Sequence, residues 1–295
     1  MLTSAVPSTD SCSASNDRDR TPSHRILEKL ATGRPGRLAF PNLISSVRLP
    51  GPMDRLEIAK GVEATRDFAL LLRDERALVI SDLHLGFEGA LAEKGVSIPR
   101  FQRRVILERL GQMFDRTKAE QVIIAGDFKH EFSKNLVDEW VEVKQVLRFI
   151  RDRAKPVLVR GNHDNYLATI LGDLNLPLNA RADIGGYTIV HGHEEVSTLH
   201  PIIMGHEHPA VKLKDELGAT VSVPAFLALD QLIVLPAFSP LALGVDVSSY
   251  PYLSPILNRI PIDDARVIGV DEKEGLLDFG AVGGLKAMRA ALLMK

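Results

Sequence analysis

Two residues that could bind a metal ion, Asp82 and His84, follow directly after a short apolar run in this sequence. The run over residues 78–81 is typical of a buried strand, and α/β sheets place chemical groups at the carboxyl ends of strands. In an extended chain, residues two apart point to the same side, so this carboxylate and imidazole could bind one ion together. The pair alone is weak evidence, because Asp-x-His is common by chance and also fits a surface aspartate beside a half-buried histidine.

Four further clusters combine an apolar run with a glycine and with residue types that bind metals. They are Gly126-Asp127 with His130, Gly161-Asn162-His163-Asp164, His191-Gly192-His193, and Gly205-His206-Glu207-His208. All of the 9 histidines except His24 lie between His84 and His208. A chance distribution would not produce this grouping.

The ordered set Asp-x-His, Gly-Asp, Gly-Asn-His-Asp, His and Gly-His-x-His resembles the signature of the calcineurin-like metallophosphoesterases. Residues 82–88, 95–102 and 126–132 are similar to a compact archaeal SbcD-related group and to the DNA-ligase-associated bacterial phosphoesterases. The resemblance covers residues from about Met53 to about Val245. It implies an α/β fold, in which two packed mixed β-sheets flanked by helices form a double β-sandwich, and a hydrolase that uses two divalent metal ions.

The resemblance also implies a set of metal ligands. The first ion would be held by Asp82, His84, Asp127 and His208, and the second by Asp127, Asn162, His191 and His206. Two ions that share one carboxylate can position a water and neutralise the charge of an attack on phosphorus. A shell of oxygen and imidazole ligands without sulfur favours Mn, Fe, Co, Ni or Zn over Mg or Ca, and manganese is the first choice.

His163 is predicted to be the general acid, because Asn162 already takes the coordinating place in its loop. An imidazole just beyond the ions can protonate the leaving oxygen, and Asp164 can orient that ring. The alternative is a loop histidine without a catalytic role. His130 is predicted to donate a hydrogen bond to Asp127, with a third-metal ligand as the alternative.

Four other residues are candidates for weaker roles. Lys129 and Arg160 could contact the substrate phosphate, or they could be solvated surface cations. His193 could line the pocket or be an exposed histidine without a ligand. Glu88 could hold a ligand histidine through the second ring nitrogen.

Strand and helix patterns alternate around these clusters up to about Gly172. A hairpin is predicted over residues 68–72 and 77–81. A first helix starts at Pro99 and is predicted to bury Phe101, Val105, Leu110 and Phe114. A second helix, over residues 133–152, carries one apolar stripe, on which Trp140 is predicted to be a packing residue, with substrate stacking as the alternative. Shorter apolar runs predict a second sheet of mixed or antiparallel strands over residues 187–190, 202–204, 220–223, 232–235, 266–270 and 276–279, and a surface helix closes the chain over residues 284–295.

Composition narrows the classes of protein. Of the 295 residues, 45% are hydrophobic, which suffices for a sizeable core, and the formal net charge of -2 disfavours extended binding along a duplex. Cys12 is the one cysteine, which excludes an internal disulfide and a thiolate metal site and fits a reducing cytoplasm. The sequence has no apolar stretch of about 18 residues, so we expect a cytoplasmic enzyme without a membrane partner.

Residues 1–52 differ from the rest of the chain. Ser, Thr, Asp, Arg and Pro dominate its first part, and prolines interrupt the apolar residues that follow, so we expect a disordered extension. Residues 53–295 are expected to form a single metallophosphoesterase domain.

A protein that begins at Met53 is expected to keep the melting temperature and the metal-dependent activity of the full chain, because a disordered extension contributes nothing to the fold. Thermal unfolding and hydrolysis assays on both proteins would test this. A large loss of either property in the shorter protein would contradict it.

The function expected from the resemblance is hydrolysis of a phosphodiester in a nucleic-acid end or a nucleotide. Larger repair nucleases of this type carry a capping domain after the catalytic core, so a short single-stranded end or a small nucleotide is the expected substrate here. A phosphomonoesterase or a protein phosphatase is the alternative, since either shares the metal centre. A non-catalytic scaffold that binds a protein partner would be expected to lose metal ligands, whereas all seven predicted ligands and His163 are present in this sequence. The sequence does not identify a protein partner.

Overall fold

The computed structural model of the chain describes residues 53–133, 136–214 and 220–293. Two mixed β-sheets pack together in these ranges and are flanked by helices, which confirms the predicted α/β fold class. The predicted extension over residues 1–52 lies outside the described residues, and the single-domain organisation of residues 53–295 stays a prediction. Within the described part of the chain, no helix is long and apolar enough to cross a membrane.

The first sheet has seven strands that lie side by side in chain order. They are β1 Arg55–Ala59, β2 Val62–Thr65, β3 Leu70–Leu72, β4 Ala77–Ile80, β5 Gln121–Ala125, β6 Lys155–Val159 and β7 Leu178–Asn179. Strands β1 to β4 pair antiparallel, whereas β4 to β7 pair parallel. The helices in the parallel connections are α1 Phe87–Glu93, α2 Gln102–Thr117, α3 Val137–Arg151 and α4 Leu167–Gly172. The carboxyl ends of β4, β5 and β6 therefore lie along one edge of the sheet.

The second sheet is also mixed. Its strands are β8 Ala182–Ile184, β9 Tyr187–Val190, β10 Ile202–Met204, β11 Pro209–Lys214, β12 Thr220–Leu229, β13 Leu232–Val234, β14 Val245–Asp246, β15 Arg266–Asp271 and β16 Gly275–Ala281. They follow the spatial order β14, β11, β12, β13, β10, β9, β8, while β15 pairs with β12 and with β16. Strand β10 is parallel to both of its neighbours, β9 and β13. A 3-10 turn at Leu257–Arg259 and the helix α5 Val282–Leu293 complete the described chain.

The second sheet is buried on both faces. Ile189 and Ile203 belong to the core that the second sheet shares with the first, while the next residues, Val190 and Met204, belong to a separate core. Because successive side chains of a strand point to opposite faces, short runs of consecutive apolar residues can fill two cores at once. The apolar runs that end in the polar motifs are therefore anchored on both sides.

Helix α2 buries Leu110 and Phe114, as the sequence predicts, but its first turn buries a different face from the predicted one. Phe101 and Val105 are half-buried and do not belong to the core, whereas Gln102 and Ile106 are fully buried. The buried face is thus turned by one residue at the start of the helix, because Gln102 points inward to bond to main-chain carbonyls. Trp140 on α3 is half-buried against the core, as expected of a packing residue.

Candidate metal centre

The five polar motifs lie just past the carboxyl ends of β4, β5, β6, β9 and β10. The first three strands are parallel neighbours in one sheet, and the last two are parallel neighbours in the other. Each sheet therefore presents its motifs together at one edge. The main-chain N–H of His206 donates to Oδ2 of Asp82 at 3.0 Å, which joins the two edges. The structure thus brings all five motifs into one site.

Five of these residues adopt a backbone conformation that is rare outside glycine. Their φ angles are positive, with 58° at Asp82, 46° at His84, 48° at Asp127, 67° at His206 and 46° at His208. Such conformations cost on the order of 1–3 kcal/mol each and persist only where the surroundings hold them, typically at functional sites. The expectation that Asp82 and His84 continue an extended strand is wrong, because β4 ends at Ile80 and both residues lie in the loop beyond it.

Asp82, His84 and His208 form a first group of candidate ligands, whose ligand atoms lie within 4.8 Å of one another. Nε2 of His208 is 3.1 Å from Oδ1 of Asp82 and 3.3 Å from Nε2 of His84. One carboxylate oxygen and two ring nitrogens therefore surround a common point.

Asp127, His191 and His206 form a second group within the same distance limit, and Asn162 adds an amide oxygen. Nδ1–H of His191 donates to the carbonyl oxygen of Ala125 at 2.9 Å, which leaves the lone pair of the neutral ring on Nε2. That Nε2 lies 3.2 Å from Oδ2 of Asp127, 3.2 Å from Nδ1 of His206 and 3.1 Å from Oδ1 of Asn162. Four electron-pair donors face one another, an arrangement that a cation between them would stabilise.

Oδ2 of Asp127 lies between the two groups. It is 3.2 Å from Nε2 of His191 in the second group and 3.9 Å from Nε2 of His84 in the first. Oδ1 of the same carboxylate accepts the main-chain N–H of His163 at 2.9 Å. One carboxylate oxygen therefore faces both groups, while the other is tied to the main chain and fixes the orientation of the side chain.

The buried carboxylates attract positive charge into the site. Burial alone would disfavour a charged His191 ring, but the carboxylates of Asp127 and Asp82 outweigh it and raise the pKa of His191 to about 9. Burial would also raise the pKa of Asp82, yet the neighbouring His208 holds that pKa below its usual range. A metal ion at Nε2 of His191 would take the place of the ring proton. The buried set of carboxylate, amide and imidazole donors therefore fits a divalent metal ion.

The family model of the calcineurin-like phosphoesterases matches residues 75–240, which is more than half of the 295 residues and spans the five motifs. The chain belongs to the calcineurin-like phosphoesterase family. It is therefore a hydrolase that acts on phosphoester bonds, and members of its family use divalent metals.

The solved structures that are similar to this phosphoesterase include a nuclease and another phosphoesterase. The crystal structure of Pseudomonas putida nuclease MPE is 22% identical, covers 73% of this chain and 95% of its own, and superposes with a TM-score of 0.54, which shows a common fold. Yfce, a phosphoesterase from E. coli, is 17% identical, with coverage of 70% and 93% and a TM-score of 0.34. Among curated protein sequences, none matches this chain.

Gly161 of the phosphoesterase allows two strand-end loops to approach closely. A Cβ atom at this position would collide with both Oδ1 and the main-chain nitrogen of Asp127. Only glycine therefore lets the loop after β6 lie against the carboxylate that faces both ligand groups.

Gly161→Ala is expected to weaken metal binding and hydrolysis together, because the added methyl must displace Asp127. Overpacking of this kind also costs about 1–3 kcal/mol of stability. Gly172→Ala is the matched control, since a Cβ there meets no atom within 4 Å. Metal content, activity and thermal unfolding of the two variants would be compared, and equal behaviour would contradict the prediction.

His163 is oriented by the main chain of a neighbouring loop. Its Nδ1 donates to the carbonyl oxygen of His130, and its Nε2 lies 4.0 Å from Oδ2 of Asp127. The side chain is 26% exposed, so Nε2 faces the metal centre from a position that a substrate can reach.

The prediction that Asp164 orients the His163 ring is wrong. Oδ2 of Asp164 accepts the main-chain N–H of Gly161 at 2.8 Å, and Oδ1 accepts that of Phe128 at 2.9 Å. Burial, and then the charge of Asp127, raises the pKa of Asp164 to about 6. Asp164 therefore ties the loop after β5 to the loop after β6, and both of its oxygens are used for this purpose.

Glu88 does not hold a ligand histidine, contrary to the expectation. Its Oε1 accepts the main-chain N–H groups of Phe101 at 2.6 Å and Gln102 at 2.8 Å, which satisfies donors at the start of α2. The side-chain amide of Gln102 in turn donates to the carbonyl oxygen of His84 at 2.9 Å. Glu88 therefore supports the loop that contains His84 indirectly, through the main chain at the start of α2.

Lys129 cannot contact the substrate phosphate as proposed from the sequence, because its side chain is fully buried. Its Nζ lies 3.5 Å from Oε2 of Glu139 and donates to the carbonyl oxygen of Glu131. Oε1 of Glu139 accepts the main-chain N–H groups of His130 at 3.1 Å and Glu131 at 2.8 Å. This buried ion pair fixes the loop whose carbonyl group orients His163.

His130 is not placed as a hydrogen-bond donor to Asp127. Its Nδ1 is buried and has no hydrogen-bond partner among the described residues. The centroid of its ring lies 4.3 Å from that of Phe87 and 5.6 Å from that of His163, on which the ring stacks. The ligand atoms of His84, His130 and His163 lie within 4.8 Å of one another, so the alternative role of His130 as a third-metal ligand stays a prediction.

The two remaining candidates lie near the second group of ligands. The ring of His193 is half-buried. Its centroid lies 5.2 Å from that of His191 and 6.1 Å from that of His206, so His193 lies beside these candidate ligands. Arg160 is exposed, and its Nη2 donates to Oδ1 of Asn165 at 3.0 Å. Contact between Arg160 and a substrate phosphate stays a prediction.

Glu207 was missed as a supporting residue of the site. It stands between His206 and His208, and its buried carboxylate accepts the main-chain N–H groups of Leu253 at 3.2 Å and Ser254 at 2.9 Å. The signal available in the sequence was its position between two candidate ligands.

Proposed function

We propose that this phosphoesterase hydrolyses a phosphodiester in a nucleic-acid end or a nucleotide, with two divalent ions and with manganese as the preferred metal. The ligands would be Asp82, His84, Asp127 and His208 for one ion, and Asp127, Asn162, His191 and His206 for the other. The proposal depends on one observation, the position of Oδ2 of Asp127 between the two groups with Nε2 of His163 4.0 Å away. When bound, the ions supply a Lewis acid that neutralises phosphate charge and activates water.

His163 would act as the general acid toward the leaving oxygen. In the protonated ring both nitrogens are donors, and Nδ1–H is already committed to the carbonyl oxygen of His130. The second donor, Nε2–H, is then directed to the side of Asp127, where the reacting phosphate would lie. Because the main-chain N–H of His163 donates a hydrogen bond to Asp127, the position of the acid relative to the carboxylate is fixed.

The choice of a phosphodiester rests on the similarity of residues 82–88, 95–102 and 126–132 to the SbcD-related group. The shared fold with a protein described as a nuclease agrees with this choice. A phosphomonoesterase or a protein phosphatase would use the same metal centre, so the substrate must be decided by experiment.

A panel of substrates with manganese would test the proposal. It would comprise bis-p-nitrophenyl phosphate, p-nitrophenyl phosphate, cyclic nucleotides, a phosphopeptide and single-stranded DNA. The expected result is hydrolysis of the diesters in preference to the monoester and the phosphopeptide. Preference for the phosphopeptide would indicate a protein phosphatase, and failure on every substrate would favour a non-catalytic scaffold.

A further inference from the structure

One exposed aromatic side chain stands directly beside the proposed general acid. The ring of Phe132 is 5.9 Å from the ring of His163, at an interplanar angle of 82°, and 56% of Phe132 is exposed to solvent. A single exposed apolar residue is ordinary on a protein surface. The position of this one is not explained by packing, because Phe132 does not belong to the core and its ring lies next to the group that would protonate the leaving oxygen.

The main chain of the loop that carries Phe132 is fixed by hydrogen bonds to buried side chains. Fully buried Glu139 accepts the main-chain N–H of Glu131 at 2.8 Å, and buried Lys129 donates to the carbonyl oxygen of the same residue. On the other side of Phe132, the main-chain N–H of Ser133 donates to Oε1 of Glu131 at 2.9 Å. An aromatic group whose main chain is already fixed loses less conformational entropy when a ligand packs against it.

We propose that Phe132 is a stacking platform for an unpaired nucleobase next to the scissile phosphate, and that it is therefore a specificity-determining residue of this enzyme. The inference rests on the proposed phosphodiesterase function and adds to it the residue that recognises the base. A flat, exposed ring beside the acid can stack on any of the bases. It therefore favours substrates that have a base at this position and does not distinguish one base from another. Stacking requires an unpaired base, because bases in a duplex are already stacked on each other.

The test compares a dinucleotide, which has one phosphodiester, with two analogues that each lack one of its two bases. For the unaltered enzyme with manganese, removal of the stacked base is expected to lower kcat/KM by about 5- to 150-fold. This factor corresponds to the binding free energy of one base stacked on an aromatic ring. The loss should appear mainly in KM, because stacking binds the ground state and the transition state alike.

Phe132→Ala is expected to lower kcat/KM for the dinucleotide by a similar factor and to abolish the preference for the base. Phe132→Leu keeps apolar bulk without a flat ring and should behave like the alanine variant, whereas Phe132→Trp should retain the preference. Non-additive effects of the variant and of base removal would show that the ring and the base interact directly.

Four results would overturn the inference while leaving the hydrolysis of phosphodiesters in place. If the enzyme cleaves the dinucleotide and both analogues equally, or if Phe132→Ala keeps the preference, Phe132 does not stack on a base while the hydrolysis of diesters stands. If bis-p-nitrophenyl phosphate is hydrolysed but the dinucleotide is not, nucleoside diesters are the wrong class. A loss in kcat alone would show that Phe132 positions His163 instead.

Discussion

Asp127→Asn is expected to abolish metal-dependent hydrolysis and to lower the metal content of the protein while the chain still folds. Oδ2 of Asp127 faces His84 and His191 from the two ligand groups, so loss of its charge weakens both proposed metal positions at once. The asparagine side chain has the same shape, and its oxygen can still accept the main-chain N–H of His163. The main-chain framework of the site should therefore survive.

The measurement combines metal analysis, hydrolysis of bis-p-nitrophenyl phosphate and thermal unfolding in the absence of metal. Asp115→Asn is the matched control, because Asp115 is an exposed aspartate on α2 and its substitution removes one charge away from the strand ends. Two full equivalents of bound metal in Asp127→Asn would contradict the assignment of Asp127 as a ligand of both ions.

The sequence predicts the place of the site well, because the place follows from strand order and from residue type. Apolar runs that end in Asp82, Asp127 and Asn162 belong to parallel strands, and parallel strands deliver their carboxyl ends to one edge. The same reasoning applies to His191 and His206 in the second sheet. The division of these residues into two sets of metal ligands, in contrast, was implied only by the resemblance to the family.

The direction of each supporting side chain could not be predicted in this way. Asp164 follows His163 directly, yet its carboxylate turns to the main chain of Gly161 and Phe128. Neighbours in sequence share a loop without sharing the direction of their side chains. For the ligands themselves, the left-handed conformations at Asp82, His84, Asp127, His206 and His208 add to this difficulty. Positive φ angles at residues other than glycine leave no clear mark in the sequence.

Buried polar residues on helices were missed for a related reason. Gln102 and Glu139 occupy helical positions that a hydrophobicity pattern assigns to the surface, but both are fully buried. Their partners are main-chain groups of the ligand loops, including the carbonyl of His84 and the amide of His130. Such contacts join distant parts of the chain, so helical periodicity does not reveal them.

His163→Ala is expected to leave both metals bound and to cut turnover by about 10²- to 10⁴-fold, the usual contribution of a general acid. The loss should depend on the leaving group. A p-nitrophenolate needs little protonation, so bis-p-nitrophenyl phosphate should suffer much less than a substrate that releases a sugar alkoxide. The two substrates would be compared under saturating manganese, with metal content measured on the same samples.

Asp164→Ala provides the comparison that separates an acid from a residue that holds the loops together. Because Asp164 bonds only to main-chain N–H groups among its described hydrogen-bond partners, its loss should lower thermal stability and slow both substrates by the same factor. Equal losses on the two substrates in His163→Ala, or loss of a metal from that variant, would mean that His163 is a ligand or an electrostatic stabiliser. The carbonyl of His130 would then orient a metal-binding ring, because the hydrogen bond at Nδ1 leaves Nε2 free for either role.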